Sequence, residues 1–192
     1  LTLNPSEGLI ASLHVVDDLL CAGLNSSPGK IAKVDFPSFN ELKMLTLSTT
    51  GDYVRDMAHY GNFLYAACWG TNEIAKIDLP TFTLISLLDL GAGNAPTNLA
   101  VDSSGAFLYA TTDSSPGTVK KIDLGTFTVS ATLSFPNAGE DNAYGLGISG
   151  GFIYAGCQTS PSKIIKINEA AFTYNSTLTL AAGENTLRHL IL

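Results

Sequence analysis

The sequence predicts an all-β fold made of four copies of one antiparallel, four-stranded unit, and three observations predict it. First, one strand-like segment recurs: Lys30-Ile31-Ala32-Lys33-Val34-Asp35, Glu73-Ile74-Ala75-Lys76-Ile77-Asp78, Thr118-Val119-Lys120-Lys121-Ile122-Asp123 and Lys163-Ile164-Ile165-Lys166-Ile167-Asn168. Second, a Phe follows each at a fixed offset (Phe39, Phe82, Phe127, Phe172), at spacings of 43, 45 and 45 residues. Third, every copy holds four short segments rich in β-branched and aromatic residues, parted by turn chemistry. A fixed period of this length marks a repeat architecture. Four antiparallel strands in about 45 residues make one blade of a β-propeller. The chain reads as an all-β propeller segment of four four-stranded antiparallel blades, part of a larger ring.

The segments follow in order within each copy. Segment A carries a Leu or Met: Leu13, Met57, Leu99, Leu146 and, in an incomplete fifth copy, Leu190. Segment B reads Phe63-Leu64-Tyr65-Ala66, Phe107-Leu108-Tyr109-Ala110 and Phe152-Ile153-Tyr154-Ala155, degraded to Leu19-Leu20-Cys21-Ala22 in the first copy. Segment C is the Lys-Ile-Asp stretch. Segment D runs from the Phe to Leu45, Leu88, Leu133 or Leu178. A passes to B through Gly61-Asn62, Ser104-Gly105 or Gly150-Gly151, which supply positive φ. B passes to C through Ser27-Pro28-Gly29, Ser115-Pro116-Gly117 or Ser160-Pro161-Ser162, and C to D through Pro37-Ser38, Pro80-Thr81 or Gly125-Thr126. No copy holds ten residues free of turn chemistry or alternation, so a helical reading fails. The period excludes leucine-rich, ankyrin and tetratricopeptide repeats; armadillo and HEAT repeats match its length but require helices.

The blades span approximately 4–47, 48–90, 91–135 and 136–180. Leu1-Thr2-Leu3 repeats Leu45-Thr46-Leu47 and Leu178-Thr179-Leu180, so residues 1–3 read as the end of a preceding blade and 181–192 as the first strand of a following one. An open four-blade arc would leave two bare edges, which points to an excerpt of a longer chain or to a partner copy.

A formal charge of −7, a pI near 4.7 and scattered basic residues argue against a nucleic-acid partner. No apolar run approaches the roughly 20 residues of a membrane helix, so no membrane insertion is expected. Cys68 and Cys157 occupy one repeat position and read as small buried residues, since equivalent positions in non-adjacent blades lie too far apart to bridge. His14, His59 and His189 fall at non-equivalent positions around segment A, which argues against a metal site. No Gly-x-Ser-x-Gly, calcium loop or Ser-His-Asp grouping appears. No catalytic residue and no cofactor is assigned.

The recurring polar residues read as structural. Lys33, Lys76, Lys121 and Lys166 are expected to pack their stems between blades and extend their heads to polar groups. Asp35, Asp78, Asp123 and Asn168 are expected to bond their own turn backbone. The four Phe residues and Tyr65, Tyr109 and Tyr154 are expected to be buried between blades. Trp69, in place of the Ser-Pro-Gly turn of the second copy, reads as a partly buried turn anchor.

The repeat resembles the YVTN/NHL-like β-propellers, through Gly61-Asn62-Phe63-Leu64-Tyr65-Ala66, Gly105-Ala106-Phe107-Leu108-Tyr109-Ala110 and Gly150-Gly151-Phe152-Ile153-Tyr154-Ala155, each followed by its Lys-Ile-Asp/Asn strand. The resemblance covers essentially the whole chain. It implies extracellular surface-layer, adhesion or scaffold proteins, and lactonase-like enzymes for some members.

The expected function is a non-catalytic structural or interaction module of a larger extracellular or cell-surface protein or assembly. The alternatives are a ligand-binding or receptor propeller and a lactonase-like hydrolase whose key residues lie outside this segment. The D-to-A loops vary most and carry the candidate binding residues: Asp52, Arg55 and Asp56; Glu140, Asp141 and Asn142; Glu184, Asn185 and Arg188. Such an acidic face suits a basic protein patch, a cation or carbohydrate. Asn25-Ser26-Ser27, placed in a B-to-C turn, and Asn175-Ser176-Thr177 are candidate glycosylation sites.

Overall fold

Alternating side chains make the strands, and burial of their apolar face holds them. In the computed structural model, which describes residues 8–47 and 52–190, sixteen strands and no helix are present among the described residues. The first repeat holds β1 (Leu9–Val16), β2 (Leu19–Ser26), β3 (Lys30–Asp35) and β4 (Asn40–Thr46). The second holds β5 (Asp52–Tyr60), β6 (Phe63–Cys68), β7 (Glu73–Asp78) and β8 (Thr83–Asp89). The third holds β9 (Ala95–Val101), β10 (Phe107–Asp113), β11 (Thr118–Asp123) and β12 (Thr128–Ser134). The fourth holds β13 (Ala143–Ser149), β14 (Phe152–Cys157), β15 (Lys163–Asn168) and β16 (Thr173–Thr179). In β7, Ile74, Ala75 and Ile77 are all sealed from solvent, as suits a strand covered on both faces. In β8 burial alternates residue by residue, as suits an outer strand with one face in water.

Neighbours in sequence pair antiparallel within each repeat. The third and fourth strands slip register on the recurring Lys in all four copies, between Lys33/Val34, Lys76/Ile77, Lys121/Ile122 and Lys166/Ile167. Such a bulge bends the outer strand and raises its twist. The sheets are not four separate ones, however. β1–β8 form one eight-stranded sheet, because β5 pairs with β2 through Asn25↔Tyr53 and Ser26↔Asp52. Gly23 allows this approach: a Cβ there would stand 2.5 Å from Val54 Cγ1. β9–β12 and β13–β16 form two four-stranded sheets.

The Asx reading of the C-to-D turns is what the structure shows. Ser38 N, Thr81 N and Thr126 N donate to Asp35, Asp78 and Asp123 at 2.8–2.9 Å, and Ala171 N donates to Asn168 at 2.9 Å. The Ser38 and Thr81 hydroxyls and then their backbone N–H groups hold Asp35 and Asp78 below their ordinary range, and the Thr126 N–H and then its hydroxyl do the same for Asp123. The Phe that follows takes positive φ, from +50° to +53°, in every copy. Its period therefore marks a backbone position, and burial varies from copy to copy. Phe82 is 1% exposed, Phe127 and Phe172 are half-buried, and Phe39 is 51% exposed, against the expectation that all four lie buried. Tyr65 and Tyr109 are buried as expected, and Tyr154 is only half-buried.

The chain divides into two compact bodies, residues 1–96 and 97–192. The first has a core that includes Cys21, Ile31, Val54, Met57, Ile77 and Phe82. The second has one that includes Tyr109, Val119, Phe135, Leu146, Ile153 and Ile167. Residues 180–190, which include the expected start of a following blade, form no strand. They run beside the fourth repeat: Leu187 lies against Gly156, as Val54 lies against Gly23, and Leu190 against Gly145. Residues 1–3, read as the end of a preceding blade, lie outside the described residues.

Candidate functional site

The D-to-A loops share one turn. Gly91-Ala92-Gly93-Asn94, Asn137-Ala138-Gly139-Glu140 and Ala181-Ala182-Gly183-Glu184 each close a bond from the fourth residue's N to the first residue's O at 3.0–3.3 Å. The third residue is glycine at φ +76°, +70° and +95°, the conformation that favours glycine. The fourth residue's side chain binds back: Asn137 N donates to Glu140 Oε2 at 3.1 Å and Ala181 N to Glu184 Oε2 at 2.7 Å. The first of these loops to carry a candidate residue, Thr49-Thr50-Gly51-Asp52, repeats the same sequence pattern but lies mostly outside the described residues.

Glu140, one of the candidate binding residues, lies buried within its own turn and not on an exposed face. It is 1% exposed and also accepts from Asn137 Nδ2 at 2.9 Å and from Thr177 Oγ1 at 2.5 Å. Asp141 accepts from Ser115 Oγ at 2.8 Å. Asn142, at φ +52°, donates its N to Ser114 O and accepts from Gln158 N, each at 2.9 Å. Glu184, Asn185 and Arg188 are exposed; Gln158, with its amide oxygen turned toward the guanidinium, accepts from Arg188 at 3.3 Å. Asp52 starts β5. Arg55 and Asp56 are half-buried, and the Arg55 guanidinium lies 5.0 Å from the Trp69 ring centroid. Tyr53 stands 5.9 Å from the same ring, so Trp69 is the turn anchor of its copy.

The recurring Lys residues lie over aromatic rings. Lys76, Lys121 and Lys166 sit 4.3, 3.9 and 3.8 Å from the centroids of Phe63, Phe107 and Phe152. Their diagonal placement across paired strands produces this contact, which contributes about 0.5–2 kcal/mol each. The first copy has Leu19 in place of that Phe, and Lys33 instead donates to Leu79 O at 2.9 Å and lies 5.4 Å from the Phe82 ring. The recurrence of Phe two residues before the Tyr opposite each Lys was the available sequence signal.

Each body has a cleft beside A-to-B and C-to-D turns of its own repeats. One, of about 280 Å³, is lined by Asp102, Phe107, Tyr109, Lys121, Glu169 and Ala170, with Gly151. The other, of about 190 Å³, includes Asp17, Lys33, Asn62 and Leu79. Burial, then the charges of Glu169 and Asp102, push the Tyr109 phenol well above its ordinary range. All three cysteines are free and buried. Burial raises Cys21 to about 11 and Cys157 to about 12, so both are thiols at neutral pH. Asn25 is exposed on β2, not in the turn where its sequence placed it, and Asn175 is exposed on β16.

His14 and His59 come together despite their unequal repeat positions: Nε2 and Nδ1 lie 2.8 Å apart. The offset is real, since His14 pairs with Cys21 and His59 with Leu64, and because successive strand residues point to opposite faces it lets the two rings face each other between the repeats. Burial, then the neighbouring His59, lowers His14 from 6.5 to about 4. The unfolded chain therefore takes up this proton first. The contribution of His14 is fully present above 6.5 and is lost as pH falls to about 4. After solvent screening of the partly exposed ring, about 1 kcal/mol is expected. Denaturant melts across that window should show the loss, and His14→Gln should flatten it. An unchanged pH slope in His14→Gln would remove the pair as its cause. Among the described residues no three His, Cys, Asp or Glu side chains group as metal ligands.

No family model matches the chain, and no curated protein sequence matches it. Solved structures do. Kuenenia stuttgartiensis hydrazine synthase is 13% identical with a TM-score of 0.80, the match covering 93% of this chain and 51% of that one. The RRP9 WD40 repeats are 16% identical at 0.76, covering 93% and 53%. A chain of the mitotic checkpoint complex is 16% identical at 0.73, covering 92% and 52%. The chain thus spans about half the length of the solved chains it matches. Identities this low show the fold alone, and WD40 repeats are four-stranded propeller blades.

Proposed function

We propose that the chain is four blades of a β-propeller that serves as a non-catalytic interaction module within a larger protein or assembly, in keeping with the YVTN/NHL-like pattern of its repeats. The carrying observation is an uncovered apolar sheet face on the first repeat. Leu13 is 60% exposed where its counterparts Met57 and Leu146 are 3% and 8%. Phe36 is 52% exposed where Leu79 is 5%. Large apolar side chains grouped in this way mark an interaction surface. The recurring polar residues support the same reading, since they hold turns and rings within the repeat.

The test is binding set against turnover. Leu13→Asp with Phe36→Asp should abolish association with the protein's partner in the parent assembly while leaving the fold intact by circular dichroism. Lactone and ester hydrolysis should stay at background. Turnover that survives purification and is lost in a point variant would overturn the reading. An extracellular position belongs to this proposal, supported by the exposure of Asn25 and Asn175; a mass decrease of the native protein on glycosidase treatment would bear on it directly.

A second reading, ligand binding, is favoured by the cleft of about 280 Å³ beside Lys121. It moves the candidate pocket from the acidic loops to A-to-B and C-to-D turns of the second body.

A further inference from the structure

We infer that the cleft of about 280 Å³ between the third and fourth repeats binds a sugar through two neighbouring hydroxyls. This deepens the ligand-binding reading above, on which it rests, and names the chemical class of the ligand.

The repeats supply an internal comparison. The two clefts lie at equivalent places, each between two consecutive repeats of one body. Pairing sets the correspondence: Lys121 stands opposite Tyr109 as Lys33 stands opposite Cys21, and Phe107 opposite Asp123 as Leu19 opposite Asp35. Glu169 follows Asn168 as Leu79 follows Asp78. In the smaller cleft the lysine is engaged, because Lys33 Nζ donates to Leu79 O at 2.9 Å. In the larger cleft Lys121 lies 3.9 Å from the Phe107 ring centroid, and among the described residues its ammonium has no hydrogen-bond or ion-pair partner. The Glu169 carboxylate, in place of an apolar Leu79 side chain, has none either.

Tyr109 adds a third free group. It is 1% exposed and lines the cleft, yet among the described residues its hydroxyl has no hydrogen-bond partner. A hydroxyl at that depth ordinarily has one. The carboxylates of Glu169 and Asp102 stand near enough to raise the phenol further, after burial. Gly151 stands where the smaller cleft has Asn62, and a Cβ there would meet nothing within 4 Å, so the space is open on that side.

These groups select a ligand by charge. Lys121 repels a cation, and Asp102 with Glu169 repels an anion. Asp102 is already engaged, since it accepts from Phe107 N at 2.9 Å and from Ser104 Oγ at 2.5 Å. One ammonium, one carboxylate and one phenol hydroxyl remain around one space. A neutral pair of adjacent hydroxyls satisfies all three: one donates to Glu169 and accepts from Tyr109, and its neighbour accepts from Lys121. Phe107 and Tyr109 supply the apolar wall for the C–H face of the sugar ring.

The test is saturation-transfer NMR and titration of the 192-residue chain with D-glucose, D-galactose and D-mannose, their methyl glycosides, and L-serine as a zwitterionic control. At least one of the sugars should bind saturably in the millimolar range, and L-serine should not. Methyl glycosides that bind as well as the free sugars point to the terminal residue of a glycan; binding of the free sugars alone points to a monosaccharide; either result supports the cleft as a sugar site. Tyr109→Phe and Glu169→Gln should each weaken binding at least about tenfold, as for the loss of one hydrogen bond in a charged site. Neither should move the unfolding midpoint, since neither group bonds within the protein. Sugar binding that persists in both variants, or a lowered midpoint in Tyr109→Phe, overturns the proposal. Binding of L-serine without the sugars overturns the hydroxyl class and leaves the ligand-binding reading standing. Silence from every probe overturns both.

Discussion

Phe82→Ala is expected to lower stability by about 3–5 kcal/mol, the range for a buried Phe truncated in a core. Phe39→Ala is expected to change it by no more than about 0.5 kcal/mol, as for a surface substitution. The two residues hold the same repeat position and nearly the same backbone, at φ +50° and +53°. Whatever strain a non-glycine residue carries there is common to both, so the difference isolates burial. Phe82 is 1% exposed in the core of the first body, with the Lys33 ammonium 5.4 Å from its ring. Phe39 is 51% exposed. Denaturant midpoints at constant m-value give the comparison. Equal losses in the two variants would mean that Phe39 is covered in solution, which under dilute conditions would contradict the exposed face.

The contrast also shows what a single sequence discloses. Period and turn chemistry gave the strands, their pairing order and the Asx bonds of Asp35, Asp78 and Asp123, because these depend on residues a few positions apart. What a repeat packs against depends on its neighbour, and identical Phe residues therefore end in different surroundings. The β2–β5 pairing needed Gly23 to be seen against Val54, thirty-one residues away. The His14–His59 contact was hidden for a related reason. Counting along the chain places the two a residue out of step, and their pairing keeps them so; the offset puts them on opposite faces of their strands, where the rings of neighbouring repeats can meet. The exposure of Glu140 was misjudged because charge suggests exposure, whereas the glycine before it allows a turn that brings the carboxylate back onto its own backbone.

That turn leads to the second large effect. Glu140→Ala is expected to cost about 2–3 kcal/mol, and Glu184→Ala under about 1 kcal/mol, although both acids occupy the same place in the same turn. Both accept from the turn's first N–H. Glu140 also accepts from Asn137 Nδ2 and Thr177 Oγ1, and Asn137 Nδ2 and Thr177 Oγ1 both reach Tyr174 Oη, at 3.0 and 2.8 Å. This network is buried at Glu140 and ties the loop to the outer strand of the fourth repeat. Its removal strips charge-assisted bonds and leaves their donors unmatched. Glu184 is exposed, so water replaces its single bond. If Glu140→Ala instead left the unfolding midpoint unchanged and weakened binding of a cationic partner, the acidic loops would return as the working surface. The expected result leaves them as turn caps and keeps the working surface on the uncovered sheet face of the first repeat.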